Sequence, residues 1–314
     1  MSERLGFQMT ETMPPSWEAY RERLKQEIIP RTEGLNLARV EAYTDSLGLP
    51  AKDYLVYDES DLPKVQELSE DAVNPEWIEQ NAATYIPETD FVLLRRDYER
   101  ERANGPVYTE GVLIHELAHA SNSHRKYRKQ ATAEGMEVRL PRTGFSVLNP
   151  EFERGTFFEE GFCDYIRAEY VKQYQNRLRA IQMLRLFYPR NTGKYQLDAT
   201  FKAAHSEQRI PAKYFFAMPD PYTPVISSSS VAGFGVELLC KRSPELFPKL
   251  IQARSDLEAL RAVPRLINDL SPGMYEELRD LEDTEESFDL GLKTIVDRLY
   301  GGKLPLAKFK EVAF

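Results

Sequence analysis

His115, Glu116 and His119 stand in the order His-Glu-x-x-His within the stretch GVLIHELAHASNSH, Gly111 to His124, which holds three of the four histidines in the chain. On a helix, residues four apart point the same way, roughly 40° apart around the axis, with Cβ atoms about 6 Å apart. Two imidazoles so placed can share one zinc ion, and a glutamate about 100° round from the first can take a proton from a water on that ion. The neighbours Val112, Leu113, Ile114, Leu117 and Ala118 make this a buried helix. There, two histidines and a glutamate each cost a few kcal/mol if left without partners, and a bound metal removes that cost. Satisfied core histidines beside a cation-paired Glu116 are the purely structural alternative. A di-iron carboxylate site is another, since Glu116-x-x-His119 matches half of it. It needs a second Glu-x-x-His pair, which the sequence lacks.

Catalytic zinc usually takes three protein ligands and keeps one position open. His124 lies nine residues after His115, about 180° around a continuing helix. Asn122 stands where a glycine would be needed to turn the chain, so His124 is read as a surface residue. The stretch FFEEGFCDY, Phe157 to Tyr165, offers a better third ligand. Glu160 and Asp164 are four apart on a predicted helix, so one carboxylate can bind the metal while the other accepts a hydrogen bond from a ligand histidine and fixes its tautomer. Glu159, about 100° round, is the rival to Glu160. Glu160 is preferred because Asp164 follows it at the required offset. Cys163 is read as core packing rather than as a thiolate ligand.

His115-Glu116-Leu117-Ala118-His119 followed by Glu160-Gly161-Phe162-Cys163-Asp164 resembles the gluzincin class of zinc metallopeptidases, which includes thermolysin-like and aminopeptidase-type enzymes. The resemblance spans roughly residues 82–186. It implies a zincin-like α+β fold: a small mixed β-sheet with the active-site helix, followed by a mostly helical C-terminal half. It further implies one Zn2+ per chain on His115, His119 and Glu160, with Glu116 as general base and Asp164 behind a ligand histidine. The substrate is then a peptide or protein cleaved by a zinc-activated water. In zincins an edge strand above the active-site helix pairs with the substrate backbone, a role that falls here to Phe91, Val92, Leu93 and Leu94. The donor that stabilises the oxyanion has Tyr165, Tyr222 and His205 as candidates.

Two departures stand out. Glu159 occupies a place where the family commonly has asparagine. About 40 residues separate the two ligand helices, nearly twice the thermolysin-like spacing, so a segment is inserted between Ser121 and Thr156. Two other functions use the same residues: an inactive relative that only binds a partner in the cleft, and a zinc hydrolase of a non-peptide bond.

The elements that must position these residues follow from periodicity. Two helices lie between Ser16 and Leu47, broken at Pro30. A strand at Tyr54 to Asp58 leads into a helix, and Ala82 to Arg96 forms a hairpin around Pro87 to Asp90. The motif helix is predicted to be capped by Thr109, with Glu110 in its first turn. MEVRLPRTGFSVLN reads as another hairpin, and the chain from Thr156 onward reads as helical, with Ser and Pro at the breaks. The expected layout is an N-terminal helical segment (1–50), a sheet subdomain with the motif helix (51–125) and a mostly helical subdomain carrying the third ligand (126–314).

A net charge of -9 and a pI near 5.2 leave no basic face for nucleic acid or an anionic membrane. The one basic run, HRKYRK from His124, reads as a solvated segment. Neither a signal peptide nor an 18-residue apolar span is present, so a cytoplasmic location is expected. Cys163 and Cys240 are expected to be free thiols. No glycine-rich phosphate loop is found.

Overall fold

The computed structural model describes residues 8–10, 15–69, 75–87, 89–98, 104–122, 127–132, 135–139, 142–149, 152–175, 200–202, 209–214, 216–217 and 224–302. In chain order the elements begin with β1 (Gln8–Thr10), α1 (Pro15–Glu27), α2 (Leu37–Ser46), β2 (Tyr54–Tyr57), α3 (Leu62–Ser69) and α4 (Pro75–Gln80). The hairpin β3 (Ala83–Ile86) and β4 (Phe91–Arg95) and the motif helix α5 (Pro106–Ala120) follow. Short strands come next: β5 (Tyr127–Thr132), β6 (Gly135–Arg139), β7 (Arg142–Thr143), β8 (Ser146–Asn149) and β9 (Phe152–Arg154). A long helix α6 (Thr156–Tyr174) is followed by β10 (Thr200–Lys202), β11 (Arg209–Pro211), β12 (Phe216–Ala217) and β13 (Pro224–Val225). The chain closes with α7 (Ser228–Arg242), α8 (Leu246–Gln252), α9 (Leu257–Leu270), α10 (Met274–Arg279) and α11 (Glu285–Tyr300). The fold is α+β and mostly helical, with a small mixed three-stranded sheet.

That sheet has the order β2-β4-β3, with β2 parallel and β3 antiparallel to β4. The parallel pair requires a crossover, which α3 and α4 provide. All five residues of β4 are buried, as a central strand covered on both faces should be. Side chains alternate cleanly. Leu55, Tyr57, Phe91 and Leu93 pack with Tyr20, Leu24, Val65 and Ile78 from the first helices. Val56, Val92 and Leu94 belong to the main core with Val40, Val112 and Leu113. The sheet is thus sandwiched between α1, α3 and α4 on one side and α2 and α5 on the other, and the main core continues through α6, α7, α9 and α11.

The motif helix starts earlier than predicted. Gly105, at φ 83, is its N-cap and Pro106 fills the first position, where no backbone donor is needed. Thr109 lies inside the first turn, its hydroxyl bonding back to the Gly105 carbonyl at 3.4 Å. Glu110 is a buried anchor rather than an exposed dipole partner. It accepts from Asn36 N at 2.7 Å, from Arg39 and from Tyr170, which ties α2, α5 and α6 together.

Two glycines allow the helices to meet. Gly155, at φ 86, starts α6 where a Cβ would lie 2.2 Å from the Phe145 carbonyl oxygen. Gly161 faces α7, where a Cβ would come within 2.7 Å of Val236 Cγ2 and 2.8 Å of the Ala232 oxygen. Gly161→Ala is expected to push α6 and α7 apart and cost about 1 to 3 kcal/mol, measured as a shift in the denaturant midpoint.

Between α5 and α6 the described residues are largely strand. β5 pairs with both β1 and β6, and β8 pairs with β7 and β9. The predicted MEVRLPRTGFSVLN hairpin is therefore split: Gly135–Arg139 pairs back onto β5, and the turn at Gly144 joins β7 to β8. Part of the basic run, Tyr127 to Lys129, lies in β5 rather than in a loose segment. The hairpins β10-β11 and β12-β13 likewise interrupt the region read as all helical. Strands this short carry too few alternating residues to declare a partner. The second half of the long helix predicted from Thr156 lies outside the described residues.

Candidate metal centre

Helix α5 presents His115, Glu116 and His119, and α6 brings Glu159, Glu160 and Asp164 against them. His115 Nε2 and His119 Nε2 are 3.1 Å apart. Glu160 Oε2 is 3.4 Å from the first and Glu160 Oε1 is 3.3 Å from the second. Three electron-rich groups, two imidazole nitrogens and one carboxylate that turns a different oxygen to each, therefore form a triangle at the base of an open cleft. A tetrahedral zinc with bonds near 2.0 to 2.1 Å has ligand-to-ligand edges of about 3.3 Å, so the donor set and its spacing fit that ion.

The far side of each imidazole faces a carboxylate. His119 Nδ1 is 3.0 Å from Glu159 Oε1, and His115 Nδ1 is 3.6 Å from Asp164 Oδ1. A proton on each Nδ1 leaves both Nε2 lone pairs facing Glu160, the tautomer a metal requires. Facing lone pairs repel unless a cation lies between them. Burial opposes protonation of His115, yet the carboxylates of Asp164 and Glu160 raise it to about 9; His119 is raised as well, with Cys163, Glu160 and Glu159 outweighing burial. Burial would push Glu160 up, but the two imidazoles hold it well below the usual carboxylate range. Without a metal the triangle draws in protons, which marks it as a site for positive charge.

Each supporting carboxylate has its own arginine. Glu159, 2% exposed, accepts from Arg254 Nη1 at 2.7 Å and Nη2 at 2.8 Å, and from Phe145 N at 2.8 Å. Asp164 accepts from Arg167 Nε at 2.6 Å and Nη2 at 3.1 Å. Burial alone would raise both acids; their arginine and histidine partners bring each down to about 2. The structure thus puts Glu160 in the donor triangle, Asp164 behind His115 and the rival Glu159 behind His119. Cys163 Sγ lies 3.9 Å from Glu159 Oε1, and burial raises the thiol to about 12, so it remains a neutral core group.

Glu116 Oε2 accepts from the backbone N–H of Tyr85 at 2.8 Å. This bond identifies the strand beside the site. The sequence reading assigned substrate pairing to Phe91, Val92, Leu93 and Leu94, but they form β4, whose backbone is engaged by β2 on one side and β3 on the other. The strand with an outer edge at the site is β3. Tyr85 N points outward to Glu116, so the Ala83 backbone groups, two residues earlier, point the same way.

A cavity of about 450 Å³ opens over the triangle, its wall including Trp77, Ala83, Tyr85, Thr156 and Asp283. Partial desolvation at the cavity mouth and the negative charge of Glu160 raise the Asp283 carboxyl. Tyr165, one position past Asp164, points elsewhere. Its ring packs edge-on to Phe247 at 5.3 Å and under Lys213 at 5.4 Å, away from the donor triangle. A rotation of about 100° per residue explains why Asp164 faces His115 and Tyr165 does not. His124, His205 and Tyr222 lie outside the described residues.

Arg254, Asp283 and the Tyr85 amide were missed in the sequence. Arg254 follows α8, 95 residues after Glu159, and no local pattern links the two. Comparison with known proteins finds no match: no family model, no curated protein and no solved structure aligns with the chain. Among the described residues no helix is long and apolar enough to cross a membrane.

Proposed function

We propose that this chain is a zinc metallopeptidase of the gluzincin type, with a zincin-like arrangement of sheet and ligand helices. The observation that carries the reading is the triangle of three groups: His115 Nε2 and His119 Nε2 lie 3.1 Å apart, and the Glu160 carboxylate approaches them through Oε2 at 3.4 Å and Oε1 at 3.3 Å respectively. These three residues would hold the zinc ion. Bound there, zinc would lower the pKa of a water and polarise a substrate carbonyl.

The remaining steps belong to the chain's own residues. Glu116 has one oxygen held by Tyr85 N, which leaves Oε1 to take the proton of the attacking water and pass it to the departing amine nitrogen. Asp164 and Glu159 keep the imidazoles in the tautomer and orientation that ligation requires. The outer edge of β3 offers the Ala83 amide and carbonyl to an extended peptide, which favours backbone recognition of the substrate.

The test is metal content. Protein purified without added metal should contain about one zinc per chain by elemental analysis, as a single three-ligand site implies. Glu160→Ala should lower zinc affinity by more than about a hundredfold while retaining the helical circular dichroism of the parent. A parent that takes up no zinc after reconstitution would end the metallopeptidase reading.

A further inference from the structure

The cavity over the site carries more negative charge than one divalent ion and its own arginines balance. Glu159 is paired with Arg254 and Asp164 with Arg167. Glu116, Glu160 and Asp283 also line the cavity, and among the described residues no lysine or arginine pairs with any of them. A divalent ion offsets two of these three charges.

The residual charge sits at Asp283, in the turn between α10 and α11, exposed at the cavity mouth. A second observation points to what it receives. Thr156, 3% exposed, lines the same cavity, and its Oγ1 has no hydrogen-bond partner among the described residues. Trp77, 49% exposed, presents an aromatic surface on that wall. A carboxylate and a hydroxyl oxygen offer acceptors, and an indole face attracts cations. Lysine and arginine side chains are donor-only cations on apolar stems, and they match all three features.

We infer that Asp283, Thr156 and Trp77 form a subsite for a basic side chain of the substrate. The enzyme is then selective for lysine or arginine near the scissile bond. This rests on the metallopeptidase reading, so the experiment separates the two. Zinc-loaded Glu116→Gln is titrated, by fluorescence anisotropy, with a labelled peptide carrying lysine and with the same peptide carrying norleucine. The lysine peptide is expected to bind about tenfold more tightly, the factor one well-formed charge-assisted contact supplies. That advantage should weaken in high salt. Adding Asp283→Asn should bring the two peptides to within about twofold, Asp283→Glu should restore part of the difference, and Asp283→Lys should reverse it in favour of a glutamate peptide.

In the active parent, the ratio of kcat/KM for the two peptides should show the same preference. Equal affinity for lysine and norleucine peptides, binding of neither, or a preference that survives Asp283→Asn overturns the inference. Selective binding with no cleavage of any peptide by the parent supports the cationic subsite and removes the peptidase reading instead.

Discussion

Glu116→Gln is expected to keep its zinc and to lose turnover by about a hundredfold to ten-thousandfold, the range that general-base catalysis contributes. The metal should stay because Glu116 is outside the donor triangle, which is made by His115, His119 and Glu160 alone. The local fold should also persist, since an amide oxygen at this position can still accept the Tyr85 N–H now bonded at 2.8 Å. In the proposed mechanism, the substitution removes the basic oxygen that takes the water proton. Elemental analysis and kcat/KM on the same preparation check both halves. A variant with full zinc and undiminished activity would remove Glu116 from the mechanism; one that lost its zinc would place Glu116 among the ligands.

Arg254→Met is expected to cost about 3 to 5 kcal/mol of stability, because it strips the cation from a buried carboxylate. Arg254 is 1% exposed and holds both oxygens of Glu159. It also donates to the Ala118 carbonyl, to the His119 carbonyl at 3.2 Å and to Ser121 Oγ at 3.1 Å. One side chain therefore caps the C-terminal end of α5 and anchors the acid that orients His119, a favourable place for positive charge. Zinc affinity should fall about 10- to 100-fold with it, as loss of support behind a ligand histidine does.

The double variant Glu159→Gln with Arg254→Met should be less destabilised than the sum of the two single changes, because neither partner is left charged and alone. Additive losses in denaturant unfolding would show the pair to be uncoupled. The pH dependence has a definite sign. Glu159 is held down to about 2 in the folded chain, so its contribution is fully present above the ordinary carboxylate pKa and is lost as pH falls towards 2. Without Arg254, acid should begin to unfold the protein at a higher pH.

The Arg254 pair also gives a physical account of a buried glutamate at position 159, where the gluzincin pattern that the sequence resembles commonly has asparagine. A neutral asparagine needs no counter-ion, but a buried glutamate does. Accepting Glu159 commits the loop after α8 to supplying an arginine and β8 to approaching closely enough for Phe145 N to bond. At Gly144 a Cβ would fall 1.8 Å from Glu159 Oε2, so the turn before Phe145 can carry only glycine.

By itself, the sequence determined whatever depends on neighbours along one helix. A rise of 1.5 Å and 100° per residue put His115 and His119 on one face, set Glu116 beside them, and turned Glu160 and Asp164 toward a common side. It also determined the hairpin at Ala82 to Arg96, because apolar runs and turn residues act over a few positions. Tertiary structure alone decided which strand flanks the site: β4 and β3 have similar residues, and only the crossover that lays β2 beside β4 leaves the outer edge to β3. It alone decided that Glu159 stands behind His119, because the deciding partner, Arg254, arrives from the loop after α8 through the packed core. The same holds for Asp283, which reaches the cavity only because α10 and α11 turn back over it. Helical geometry is written in local spacing, whereas charge pairing and strand order depend on contacts between segments far apart in the chain, for which spacing carries no signal.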